Sequence, residues 1–353
     1  MKISGGSDGP ARLIERLKSC SNHEEKAKSV RELKNQIIGN RTKKLTYLSH
    51  GAAAVVAGMM TGSGGSETDV ESREAVLIQC GAVLGSLACG LDAGVEAVVD
   101  AGGLPILMEL VSSSNEKVAD VGARSLKLIY RSKRAPKIDF LRRKNVEFLI
   151  SLLENSATSS VDLGAQLIAH SCTTPQEQQH LADSGIAKPL AALLLAGCDA
   201  RDSALKSIAA LARNNPKFAE AFVAEGNGAV SPLLIRLLAD RRNPRTRLRA
   251  SICLVNLRRR RNSSRTCLGV DDDDLIEVLV DTIGDDAATS DESAALALCD
   301  MIDGSEDPKF IVDRLFDRLK QGSVSQNRMR GIVLALFQIC TKLNYSKVIK
   351  SKP

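Results

Sequence analysis

Residues 101–131 read AGGLPILMELVSSSNEKVADVGARSLKLIYR. Gly102, Gly103 and Pro105 mark a turn running into a helix, because glycine relieves the turn and proline fits a first helical turn. Leu104, Leu107, Met108 and Val111 then recur at three- and four-residue spacing, which is one face of a helix. Ser112 to Asn115 break that pattern and offer N-cap oxygens. Val118, Val121, Gly122, Ser125, Leu126 and Ile129 form a second stripe, whose small members let another helix come close. A hairpin of this kind cannot bury both faces alone. It calls for copies of itself on either side.

The copies are present. Seven long-helix segments overlay: CGAVLGSLA (80–88), GARSLKLIY (122–130), GAQLIAHSC (164–172), ALKSIAALA (204–212), ASICLVNLR (250–258), AALALCDMI (294–302) and IVLALFQIC (332–340). Their starts are separated by 42, 42, 40, 46, 44 and 38 residues. Medium helices precede them, at 104–112, 146–154, 186–195, 230–239, 273–283 and 310–320. Short first helices are expected at 94–100, 137–143, 176–183 and 216–224. Intervals near 40 match the armadillo/HEAT class rather than tetratricopeptide or ankyrin units, and three helices per unit favour armadillo. The expected fold is all-α: a right-handed α-solenoid of about seven armadillo repeats. It should occupy residues 11–343, after a disordered lead (1–10), with a flexible Gly/Ser loop at 61–69 and a basic tail at 344–353. The last long helix is strongly apolar where a solenoid normally ends in a polar cap. Either another chain covers that edge, or the polypeptide is a shortened form of a longer array.

Composition agrees. Of 353 residues, 44% are hydrophobic but only 3% aromatic, with no Trp. Ala, Leu and Val suit many small helix–helix contacts better than a sandwich or barrel core. Nine cysteines, none spaced C-x-x-C, argue against a disulfide framework or zinc ribbon and for a reducing compartment. Residues 1–13 contain no apolar core, so no secretory signal is expected. Residues 52–60 are too short to span a bilayer. The chain is expected to be soluble, in the cytoplasm and nucleus.

Catalytic signatures are missing. The four histidines (23, 50, 170 and 180) have no metal-ligand spacing, and no Walker A loop, dinucleotide fingerprint or nucleophile elbow occurs. Asp271 to Asp274 read as the acidic start of a helix. No enzyme activity, cofactor, metal or small-molecule substrate is therefore expected. The seventh residue of each aligned segment bears on binding. In peptide-binding armadillo proteins this position is often Asn, forming a ladder that holds an extended peptide. Here the residues are Ser86, Leu128, His170, Ala210, Asn256, Asp300 and Gln338. Only Asn256 keeps the Asn, and Trp partners are absent, so a generic clamp for nuclear-localisation peptides is not expected.

The charge of +6 is modest but clustered. Residues 241–265 (RRNPRTRLRASICLVNLRRRRNSSR) hold ten arginines. Arg245 and Arg249 lie one turn apart, and Arg258, Arg259, Arg260 and Arg261 end the same helix, where cations suit the dipole. An acidic partner surface fits this density. Nucleic acid is not expected, since no aromatic residues interleave. The candidate partner-binding residues are thus His170, Arg245, Arg249, Asn256, Arg258 to Arg261, Asp300 and Gln338.

Three less regular stretches are more particular: ELKNQIIGNRTKKLTYLSHGA (32–52), VLGSLACG (83–90) and AHSCTTPQEQQHLADSGI (169–186). Together they resemble the armadillo repeat-containing protein eight family, the armadillo scaffold subunits of the CTLH/GID ubiquitin ligase. The resemblance implies a non-catalytic adaptor. In that family armadillo units join CTLH scaffold subunits to a substrate receptor, and RING subunits supply catalysis. Family members are longer, and the receptor docks mainly through later repeats, so attachment to the scaffold is the inference that carries over. The rival expectation is a general armadillo adaptor in signalling or trafficking.

Overall fold

The computed structural model describes residues 9–20, 22–61, 70–197, 201–213, 215–258, 272–282, 292–304, 308–320 and 325–343. Among them are twenty helices and no strand. The chain opens with α1 (Pro10–Ser19), α2 (His23–Ile37), α3 (Arg41–Ser49), α4 (Ala52–Thr61) and α5 (Val70–Ala88). Next come α6 (Asp92–Asp100), α7 (Gly103–Val111) and α8 (Glu116–Ile129), the short, medium and long helices of residues 92–129. They are followed by α9 (Arg143–Leu153), α10 (Thr158–Ser171), α11 (Pro175–Asp183), α12 (Ala187–Ala196), α13 (Arg201–Ala212), α14 (Pro216–Glu225), α15 (Val230–Ala239) and α16 (Pro244–Arg258). The last four are α17 (Asp272–Thr282), α18 (Glu292–Gly304), α19 (Pro308–Lys320) and α20 (Gln326–Leu343). The short–medium–long rhythm is plainest in α6–α8, α11–α13 and α14–α16.

Two compact units form. One comprises Met1–Ile138 with Glu154–His170, the other Asp139–Leu153 with Ser171–Pro353. In the first unit the long helix α5 packs against both α2 and α8, and α7 packs on α8. Small residues set the spacing. A Cβ on Gly85 would lie 2.8 Å from Ser125 Cα, and one on Gly81 would lie 2.6 Å from Val121 Cγ1. Around that contact Leu84, Leu87, Leu107 and Leu126 are fully buried, each contributing roughly 1.5–3 kcal/mol over an exposed state.

Chain direction is set by turn chemistry. Gly102 sits at φ 70°, the left-handed region that glycine tolerates, and turns the chain into α7. Asn115 caps α8 by accepting from the Lys117 and Val118 amides, as expected for the Ser112–Asn115 break. Asn22, Asn40 and Asn215 cap α2, α3 and α14 in the same way, and Thr174 and Glu177 form a reciprocal capping box on α11.

Two of the three irregular stretches meet in the first unit. Asn40 starts α3, and α3 sends the buried Lys44 to the Cys89 carbonyl (2.8 Å) and Arg41 to the Gly90 carbonyl (3.1 Å). Both cations thus bind carbonyls at the C-terminal end of α5, where a positive charge is favoured. Tyr47, fully buried, donates from its hydroxyl to Gln36 Oε1 at 2.7 Å. These two stretches thus form one packed joint.

One expected element is absent. Residues 137–143 do not form the short first helix; residues 130–142 are turns and extended chain. Pro136 disfavours helical geometry at Ala135 and supplies no amide donor. Asp139 instead accepts from the Leu141 amide through its side chain and from the Arg142 amide through its carbonyl. Ile138 and the fully buried Phe140 anchor this connection in place of a helix face.

In the second unit α13, α16, α18 and α20 are the long helices, packed in succession, α13 on α16, α16 on α18 and α18 on α20. Among the described residues no single helix is long and apolar enough to cross a membrane. α14 and α15 reach that measure only together, and they bend by 97° at their break.

Candidate protein-interaction surface

The seventh position of each long segment falls on one face of its helix, and its burial varies. Ser86, Leu128, His170, Ala210 and Gln338 are half-buried, while Asn256 and Asp300 are buried. In the first unit His170 serves a structural contact. Its ring meets Tyr130 edge-on at 5.3 Å between centroids, and Nε2 lies 2.9 Å from the Ala135 carbonyl. A carbonyl only accepts, so Nε2 carries the proton. The ladder position here holds the connection after α8. That connection exposes Arg131, Lys133, Arg134 and Lys137, a basic stretch the reading of residues 241–265 passed over.

In the second unit Asn256 Nδ2 donates to the Ala209 carbonyl of the preceding long helix at 2.9 Å. Gln166 does the same in the first unit, reaching the Lys127 carbonyl at 3.3 Å, and Ser125 reaches the Gly81 carbonyl at 2.8 Å. The one Asn that matches the peptide ladder thus has its amide engaged between repeats. Asp300 is nearly sealed, with Arg213 Nε 3.8 Å away. Gln338, on α20, is half-buried.

The basic segment divides. Arg249 is buried, with Nη1 2.6 Å from Asp202 Oδ2, and Arg245 Nε lies 3.7 Å from the same oxygen. Thr246 Oγ1 donates to Asp202 Oδ1 at 2.7 Å. Asp202 of α13 therefore gathers one face of α16, so Arg249 packs inward rather than outward, and Arg245 alone of the pair is open to solvent. Arg258 ends α16 half-buried. Arg259, Arg260 and Arg261 lie outside the described residues, as do residues 62–69 of the loop expected at 61–69, the lead before Gly9, the tail from 344 and Asp271. Asp274 is exposed near the start of α17.

Thiol chemistry follows burial. Cys80 and Cys172 have pKa values pushed up to about 12 by burial, with Glu177 adding to the shift at Cys172. Burial also pushes up the Cys253 thiol and raises Tyr130 to about 12. These thiols stay protonated and behave as small core hydrophobes rather than nucleophiles. Among the described residues all seven cysteines are free, and no group of three or more His, Cys, Asp or Glu side chains converges on a point that could hold a metal.

The last long helix, singled out in the sequence for its apolar character, exposes Met329, Val333 and Phe337 of α20 at successive helical turns.

The stacked hairpins, small-residue joints and carbonyl-directed polar contacts define an armadillo-type helical-repeat protein. Solved structures agree on the fold. A designed armadillo repeat protein covers 70% of the chain (TM-score 0.57, 18% identity, all of that protein), and an engineered protein covers 97% (TM-score 0.58, 20% identity, 91% of that protein). A designed armadillo repeat protein solved with the peptide (KR)4 aligns over 71% of the chain (TM-score 0.54, 17% identity, all of that protein). No family model matches the chain. Among curated proteins the chain is similar to armadillo repeat-containing protein 8. It is 27% identical over 188 residues to the Xenopus laevis protein (53% of this chain, 25% of that protein). It is 26% identical over 229 residues to the Danio rerio protein (64% and 33%), and 26% over 211 residues to the Mus musculus protein (59% and 28%). The aligned region spans a quarter to a third of those relatives.

Proposed function

We propose that this chain is a non-catalytic protein-interaction scaffold, and that it serves as the armadillo component of a CTLH/GID-type ubiquitin ligase in the cytoplasm and nucleus. The observation that carries the reading is kinship with armadillo repeat-containing protein 8 on an armadillo-repeat fold. A repeat stack is suited to the task, because its surface grows with each unit and can carry several partners at separate places. Arg245 and the residues following α16 supply the basic contact for an acidic partner. Binding to CTLH scaffold subunits is the first expectation, and a substrate receptor the second.

Affinity purification of the tagged full chain from its native cell tests this reading. Recovery of CTLH and RING subunits is the expected result. Their absence, with vesicle or adhesion proteins recovered instead, overturns it in favour of a general armadillo adaptor. Charge reversal at Arg258 to Arg261 should weaken the recovered partner while leaving the helical circular-dichroism signal unchanged; loss of that signal would mark these residues as structural.

A further inference from the structure

The corner between α15 and α16 carries more positive charge than the fold uses. From Arg236, in the last turn of α15, to Arg247, in the first turn of α16, the chain holds five arginines, no lysine and one acid, Asp240. The corner is fixed by other groups than its outward arginines. Asp240 accepts from Asn243 Nδ2 at 2.8 Å and from the Arg242 amide at 3.0 Å, one bond to each carboxylate oxygen. Arg247 Nε donates to the Leu238 carbonyl at 2.8 Å and ties α16 back to α15. The one acid of the stretch is thus engaged within its own turn, and Arg247 is engaged on the backbone.

Arg236, Arg241, Arg242 and Arg245 remain, and all four are exposed. Among the described residues the first three make no ion pair. Arg245 has only its 3.7 Å approach to Asp202, a carboxylate already held by Arg249 and Thr246. Four like charges in so short a stretch repel one another, a cost that no contact within the corner offsets. Asp202 shows what suits this helix: a carboxylate takes a guanidinium and a hydroxyl of α16 together. The planar guanidinium fork matches carboxylate geometry in the same way for an incoming acid. The four arginines are strung along the end of one helix, the turn and the start of the next. That spread suits a partner whose charges are also strung out, rather than a single anion. No aromatic residue occurs between Phe222 and Phe310, so this stretch offers bases no stacking platform.

We propose that the α15–α16 corner docks an extended acidic segment of a partner protein, whose Asp and Glu carboxylates pair with Arg236, Arg241, Arg242 and Arg245. This inference rests on the scaffold reading and deepens it, because it places an acidic contact at the start of α16 and gives the form of the segment that fills it.

The test uses the full chain and a labelled synthetic peptide in which Glu and Asp alternate with Gly and Ser, a composition that stays unfolded alone. Fluorescence anisotropy should show binding that weakens as salt is added and is lost when Gln and Asn replace the acids. Arg241→Glu combined with Arg242→Glu should weaken binding roughly tenfold with unchanged melting, since both side chains are exposed and unpaired. Arg131→Glu combined with Lys133→Glu changes the net charge equally at another exposed basic place, the connection after α8. That variant should bind the peptide nearly as the wild type does. Equal losses in the two variants would reduce the attraction to net charge and overturn the proposal, as would no binding or indifference to the Arg241/Arg242 reversal. Tighter binding of a single-stranded oligonucleotide of the same charge, lost in that reversal, assigns the corner to nucleic acid and likewise overturns it. Peptide binding that fails while CTLH subunits still co-purify removes the corner and leaves the scaffold reading. Peptide binding that holds while those subunits are absent removes the ligase reading and leaves the corner.

Discussion

Gly85 sets the approach of α5 to α8. An alanine there would place its Cβ 2.8 Å from both Ser125 Cα and Ser125 Oγ, so one of the contacts is to backbone that cannot rotate away. Gly85→Ala should therefore cost about 1–3 kcal/mol, the range for overpacking a tight contact. Gly58→Ala is the matched control. Gly58 is exposed within α4, and nothing lies within 4 Å of its added Cβ. It should stabilise the chain by about 0.4–1 kcal/mol through the unfolded state. Urea unfolding of the two variants, read with opposite signs, checks the pair; equal effects would refute the close approach. The small residues at 122 and 125 announced such a joint from their spacing alone. What they could not announce was the partner, because Gly85 lies a full repeat away. The same limit applies to Arg249. Its place one turn from Arg245 was legible, but its ion pair depends on Asp202, 47 positions earlier, and no local pattern marks that aspartate.

At the scale of elements, helix identity was largely legible, since the helices repeat an apolar stripe at helical period and five of them begin at a side-chain cap. The connection over 130–142 was not. Its apolar residues Ile138, Phe140 and Leu141 imitate a helical spacing, while Pro136 and Asp139 favour turns; tertiary anchoring decided between them. His170 is part of that anchoring. Removing its ring in His170→Ala leaves the buried Ala135 carbonyl without this partner and Tyr130 without its edge contact. A loss of about 1 kcal/mol is expected from the hydrogen bond. Amide hydrogen exchange should rise over residues 131–138 and stay unchanged in α2 and α3. A uniform rise across both regions would mean that His170 supports the whole unit rather than the connection. The ladder alignment singled out His170, but its partner comes from a loop whose course the repeat does not dictate.

For the whole molecule, the cysteine count has a thermodynamic consequence. Its thiols belong largely to the core: Cys80, Cys172 and Cys253 are buried. Burial disfavours the thiolate, so the folded pKa of Cys80 and Cys172 stands near about 12 against an ordinary 9.0. The folded state therefore holds protons that the unfolded state releases once pH passes 9.0. Linkage then requires stability to be at its full value below that pH and to fall as pH climbs towards about 12, with Tyr130 adding to the fall above 10.0. Urea midpoints should accordingly drop between roughly pH 8 and pH 10.5. Double substitution of Cys80 and Cys172 by Ala, which removes both titrations, should flatten the drop even though it lowers the starting stability through the small cavities it leaves. Thiol labelling supplies the independent check: the half-buried Cys20, Cys89 and Cys340 should react in the folded chain, and Cys80, Cys172, Cys253 and Cys299 only on opening. A pH-independent midpoint together with fast labelling of Cys80 would place these thiols in contact with water and remove burial as the cause of their protonation.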